Sequence, residues 1–145
     1  MRYWDTSGLA SLLLTDRHSA SAAQSLDADP NITTWWVTCV ECQSAIWNNE
    51  RRGLIQTTDA EAAQQRLQAL RKLWIEIPPT ERIRNMAGRF LRVHDLRAAD
   101  ALQLAAAHEA CSDRPEELPF VTNDRRLAAA ARKEGFPIIS NEELA

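Results

Sequence analysis

Short runs of β-branched and aromatic residues alternate with longer segments of helical period along this sequence, and few folds accept that pattern. The short runs fall at residues 2–5, 32–36, 74–77, 118–122 and 136–140. Between them, apolar residues recur at three- and four-residue intervals, as Ala62, Leu67, Leu70 and Leu73 do. The segments 38–52, 80–92, 97–111 and 124–133 read as helices, each opened by a polar or charged residue. A further helical stretch begins at Leu9, breaks near Asp16-Arg17-His18 and resumes to Leu26. Asp29-Pro30-Asn31 marks a turn, and Gly53 and Gly135 mark helix ends. Strands that alternate with helices form parallel sheets covered on both faces. The expected fold is therefore α/β, a three-layer α/β/α sandwich with a mostly parallel central sheet, spanning residues 1–145 as one domain.

That topology has a chemical consequence. Right-handed crossovers put every strand-to-helix junction on one edge of the sheet, and ligands of open α/β sheets bind outside the carboxyl ends of the strands. Asp5 ends the first strand, Glu41 lies in the first turn after the second, and Asp124 follows the run 118–122. Asp100 sits one turn into its helix, within Leu96-Arg97-Ala98-Ala99-Asp100-Ala101-Leu102. Four carboxylates drawn to one crevice repel each other unless a cation sits among them. All-oxygen ligands select hard ions, so Mg²⁺ or Mn²⁺ is expected rather than Zn²⁺. Such an ion suits phosphoryl chemistry.

Each acid also has a plain structural account. Asp5 can cap the first helix. Glu41 completes a Thr-x-x-Glu capping box with Thr38. Asp124 complements the positive end of its helix, and Arg97, three residues before Asp100, can pair with it. Taken together, these accounts must explain four acids at matching ends of the topology, which the shared crevice explains in one step.

Composition limits the alternatives. The 145 residues carry a formal charge of -3, with no basic excess for coating nucleic acid. The positive charge is 15 Arg and 2 Lys, and of the arginine clusters only Arg125-Arg126 adjoins a candidate acid. No apolar run approaches the roughly 18 residues of a membrane span, and no secretory segment opens the chain. Three cysteines without an export signal indicate a reduced, cytoplasmic protein. Cys39 and Cys42 form C-x-x-C without a second ligand pair and read as packing groups. His18, His94 and His108 share no metal-ligand spacing and read as surface or helix-end residues. Of the five tryptophans, Trp4, Trp35 and Trp36 read as core. Trp47 reads as core too, with a groove beside Ile46 as the other account.

Four segments in order then carry a resemblance. They are Tyr3-Trp4-Asp5-Thr6-Ser7-Gly8-Leu9, Thr38 to Glu41 followed by Ala45, Leu96-Arg97-Ala98-Ala99-Asp100-Ala101-Leu102-Gln103-Leu104-Ala105, and Phe120-Val121-Thr122-Asn123-Asp124-Arg125-Arg126-Leu127. Together they resemble a PIN domain of the small stand-alone kind, the VapC toxins of bacterial toxin–antitoxin pairs. The resemblance implies a Mg²⁺- or Mn²⁺-dependent endoribonuclease whose acids match Asp5, Glu41, Asp100 and Asp124. It implies support of the metal site by Thr6, Ser7 or Thr122. It also implies an RNA substrate, a homodimer and a cognate VapB-type antitoxin. Gly8 stands where that family often has alanine, and Gln103 where histidine is frequent; neither removes a ligand. Three other functions compete. A haloacid-dehalogenase-type phosphatase looks for Asp-x-Asp, but the chain has Asp5-Thr6-Ser7. A non-catalytic PIN-like interaction module tends to lose acids that are retained here. Cleavage of DNA rather than RNA is a matter the acids do not decide.

Overall fold

The computed structural model describes residues 1–140. Its strands are β1 (Arg2–Trp4), β2 (Ile32–Trp35), β3 (Ile75–Ile77), β4 (Phe120–Val121) and β5 (Ile138–Ile139). They form one sheet in the order β3-β2-β1-β4-β5, with every pairing parallel. The helices are α1 (Thr6–Leu13), α2 (Ser19–Ala28), α3 (Thr38–Arg51), α4 (Thr57–Arg71), α5 (Glu81–Val93), α6 (Ala98–Ala110) and α7 (Arg125–Lys133). The break anticipated near residues 16–18 separates α1 from α2. Thr80 caps α5 by accepting the Ile83 N–H at 3.3 Å. Gly135, at φ +98°, turns the chain out of α7 in a conformation that other residues rarely adopt. The run at 136–140 pairs only at β5, and residues 141–145 of the anticipated domain lie outside the described residues.

Side chains alternate across a strand, and the core divides accordingly. Tyr3, Trp35 and Phe120 face α5, α6 and α7. Trp4, Ile32 and Val121 face α1, α2, α3 and α4. This is the three-layer sandwich expected from the alternation. Helix α6 is the most enclosed, with Ala101, Gln103, Leu104, Ala105, Ala106 and Ala107 all buried. Small side chains let it lie close to the sheet, which carries Asp100 and Gln103 on one face toward the strand ends.

The chain leaves β1 for β2 and β3 with its helices on one face. It then returns to β4 and β5, on the other side of β1, with its helices on the opposite face. The reversal falls between β1 and β4, the place where such sheets open a crevice.

One tryptophan is corrected. Trp36 is 53% exposed, whereas Trp35 is 5% exposed. β2 ends at Trp35, so Trp36 leaves the alternation and turns outward at the carboxyl edge. Trp4 and Trp74 are buried, and Trp47 packs half-buried against the α1–α4 side of the core, as expected of a core residue. Trp35→Ala is expected to cost about 3–5 kcal/mol and Trp36→Ala about 0.5 kcal/mol or less. Urea unfolding of the two variants measures both, and equal losses would contradict the assignment of faces.

Candidate active site

Asp5 follows β1, the middle strand, and is 3% exposed. Its carboxylate is held from three directions. The Gly8 N–H donates to Oδ1 at 2.8 Å, capping α1. The Thr122 hydroxyl, just past β4, donates to Oδ2 at 2.6 Å. The Ser7 hydroxyl lies 2.8 and 2.9 Å from the two oxygens. Ser7 in turn accepts the Asn123 N–H at 2.8 Å, and the Asn123 amide donates to the Ser7 carbonyl and the Ser11 hydroxyl. The loop after β4 is thus stitched to α1 across the crevice. Burial pushes the Asp5 carboxyl from 3.8 up to about 7, against the opposing pull of these hydrogen bonds; the charge of Asp124 pushes the same way as burial.

Asp124 caps α7, accepting the Leu127 N–H at 2.9 Å. Its own N–H donates to Thr122 Oγ1 at 3.0 Å, so Thr122 links the two aspartates. Asp100 projects from the first turn of α6. Burial raises its carboxyl, and so does Asp124; the backbone N–H and charge of Arg97, and the charge of Arg126, oppose them. An open cavity of about 550 Å³ is lined by Asp100 and Asp124 together with Arg97, Arg125 and Arg126.

Glu41 is half-buried. Its carboxyl is raised by burial, lowered by the Gln103 amide and the Thr6 hydroxyl, and raised again by the charge of Asp100. The expected capping box is absent. The N-cap of α3 is Val37, with no side-chain cap. Thr38, wholly buried, instead accepts from the Thr34 hydroxyl at 2.9 Å and the Gln103 amide at 3.0 Å. Glu41 Oε1 also accepts from Gln103, at 3.0 Å. Competing buried donors have drawn both ends of the sequence motif away from each other.

The four acids therefore stand in one electrostatic chain, in which Asp124 acts on Asp5 and Asp100, and Asp100 acts on Glu41. As the side chains stand, no three acidic, imidazole or thiol groups among the described residues enclose an ion-sized space. The donors at the crevice are carboxylate and hydroxyl oxygens, a set that fits a hard divalent cation. Sequence reasoning assigned no role to Gln103 or Asn123. An amide in an apolar helix and an amide in a turn carry no pattern that distinguishes them from solvated residues.

The PIN domain family profile matches residues 2–133. The chain belongs to this family. No curated protein sequence matches it. Among solved structures, this PIN domain is similar to Mycobacterium tuberculosis VapC20, a sarcin-ricin loop cleaving toxin, at 19% identity and TM-score 0.69, with 94% of this chain and 96% of that one covered. It is also similar to a toxin–antitoxin complex from Klebsiella pneumoniae, at 19% identity and TM-score 0.63, with 97% and 98% covered. FitAcB from Neisseria gonorrhoeae shares 15% identity at TM-score 0.65, with 98% and 99% covered. At such identities the likeness is one of fold. No helix among the described residues is long and apolar enough to cross a membrane.

The buried carboxyl of Asp5 makes stability depend on pH. Its native value, about 7, lies above the ordinary 3.8. The native state binds the proton more tightly, so this group's stabilising contribution is full below the ordinary value and is lost as pH rises to about 7. Asp5→Asn escapes that loss. In metal-free buffer at pH 8 the variant is expected to unfold at higher temperature, by at most about 4 kcal/mol at about 1.4 kcal/mol per pKa unit. At pH 4 the advantage is expected to vanish. Thermal unfolding at both pH values checks it, and a pH-independent difference would count against it.

Proposed function

We propose that this PIN domain is a divalent-metal-dependent endoribonuclease and the toxin of a VapBC-type toxin–antitoxin pair, acting in the cytoplasm as one domain over residues 1–145. The observation that supports this most is the buried Asp5 carboxylate, clamped by Ser7, Thr122 and Gly8 and lying in the field of a second acid from the neighbouring junction. Asp5, Asp100 and Asp124 would hold Mg²⁺ or Mn²⁺, with Glu41 as a further ligand or as the base that takes a proton from water. When bound, the ion polarises the scissile phosphate and lowers the pKa of water. Ser7 and Thr122 fix the Asp5 oxygens, and Thr6 stands beside Glu41. In-line hydrolysis leaves 5′-phosphate and 3′-hydroxyl ends.

RNA is favoured as substrate because a relative of this fold is a toxin that cleaves the sarcin-ricin loop. An antitoxin partner is favoured because another is a toxin–antitoxin complex. A homodimer is part of the same reading. The phosphatase alternative finds little support, because Ser7 occupies the place of the second aspartate and donates to the first.

Cleavage of labelled single-stranded RNA is expected only with Mg²⁺ or Mn²⁺ and to stop with EDTA. Asp5→Asn and Asp124→Asn are expected to abolish it. Asn caps a helix about as well as Asp, so the fold survives the second change. Mn²⁺ is expected to raise the melting temperature of the wild type, by about 2.7 kcal/mol of stabilisation at a hundredfold excess over Kd. Undiminished cleavage by Asp5→Asn, or cleavage of DNA alone, would overturn the proposal.

A further inference from the structure

Gln103 is 2% exposed, yet its amide meets four side chains from three other elements. Oε1 accepts the Tyr3 hydroxyl of β1 at 2.6 Å. Nε2 lies 3.1 Å from Thr6 Oγ1 of α1, 3.0 Å from Thr38 Oγ1 and 3.0 Å from Glu41 Oε1, both of α3. Two N–H groups are shared among three acceptors, so the amide nitrogen has no donor to spare. Its orientation is fixed by charge. A flipped amide would set its carbonyl oxygen against the Glu41 carboxylate at the same distance, and buried lone pairs facing each other are costly. Tyr3, locked between the sheet and α6, holds the other end. A residue needed only for packing at this place in α6 would be apolar, like Leu104 and Ala105 beside it.

From this geometry we infer that Gln103 is a positioning residue, which sets the Glu41 carboxylate for metal binding through a Tyr3–Gln103–Glu41 relay. The inference deepens the proposed nuclease reading and rests on it. Gln103 itself is walled off from solvent and touches no substrate. Its effect therefore falls on the metal and on turnover, and leaves the affinity for RNA alone. Outer partners of metal ligands commonly contribute about 10- to 100-fold to metal affinity or activity.

The test compares wild type, Gln103→Met, Gln103→His and Tyr3→Phe. Methionine keeps the length and loses both hydrogen-bonding ends, and histidine restores one N–H donor. Mn²⁺ affinity is read by calorimetry, and RNA cleavage is read as separate kcat and KM. Gln103→Met is expected to lose about 10- to 100-fold in Mn²⁺ affinity or in kcat, with the KM for RNA unchanged. Gln103→His is expected to recover most of that loss. Tyr3→Phe is expected to lose less, and the double variant Tyr3→Phe/Gln103→Met no more than Gln103→Met alone. If Gln103→Met or Tyr3→Phe does not fold, Gln103→His and the wild-type amide measurement carry the test. In metal-free wild type, the Gln103 side-chain amide protons are expected to exchange slowly by NMR and to lose that protection in Glu41→Ala. Wild-type metal affinity and kcat in Gln103→Met, beside a lowered melting temperature, would overturn the inference and leave the nuclease reading standing. A wild type that neither binds Mn²⁺ nor cleaves RNA would fail the nuclease reading and, with it, the metal role of Gln103. The amide exchange then judges the Gln103–Glu41 clamp on its own, and protection unchanged in Glu41→Ala would remove that as well.

Discussion

A carboxylate taken out of water at the end of the middle strand is the constraint around which this molecule is arranged. Burying an anion is costly unless donors surround it. Asp5 receives its donors from its own helix start, through Gly8 and Ser7, and from the loop after β4, through Thr122. Those contacts demand that β1 and β4 be neighbours, although more than a hundred residues separate them in sequence. They also demand that α1 begin immediately after β1. Gly8 meets the same demand sterically, since a Cβ there would lie 3.0 Å from the Val121 carbonyl oxygen. Even so, the donors do not fully offset the burial, and the residual cost appears as the raised pKa of Asp5. A protein under selection for stability alone would place an asparagine or an apolar residue there.

Parallel pairing supplies the rest. Because every strand runs the same way, the junctions after β1, β2 and β4 open on one edge. The switch between β1 and β4 places Asp5 and Asp124 at the middle of that edge rather than at an outer strand. Helix α6 enters the same edge from the opposite layer, bringing Asp100 and Gln103 one turn apart. Asp5 and Asp124 each cap a helix from that edge. In each, one oxygen accepts the backbone N–H that starts a helix, and that bond holds the side chain at the strand end.

The alternation of strand and helix was legible because it repeats across the chain and is tied to backbone geometry. The positions of Asp5, Asp100 and Asp124 were legible because topology, rather than side-chain contacts, brings them to one edge. What depended on tertiary competition was not legible. Thr38 and Glu41 satisfy the spacing of a capping box, but Thr34 and Gln103 are buried donors that outbid the local pairing. Trp36 continues an aromatic run in the sequence, yet only pairing with β1 and β3 decides where the strand ends. Gln103 read as a neutral departure from histidine because its significance lies in partners from β1, α1 and α3, none within sixty residues of it.

Arginines stand close to these acids. Carboxylates gathered at one edge repel other anions as well as one another. Arg97, Arg125 and Arg126 line the cavity that holds Asp100 and Asp124, and the charges of Arg97 and Arg126 already act on Asp100. The arginines of α5 differ. Arg82 is paired with Glu109 at 3.2 Å and Arg84 with Glu81 at 3.0 Å, both on an exposed face. Identical residue types thus serve a solvated helix surface in one place and the mouth of an acidic crevice in another. Arg126 lies 4.0 Å from the exposed Asp95 as well, yet it also lines the cavity with Asp100 and Asp124, which Arg82 and Arg84 do not. The guanidinium groups at that edge stand beside the acids and offset part of their negative charge, which the arginines of the open helix face do not.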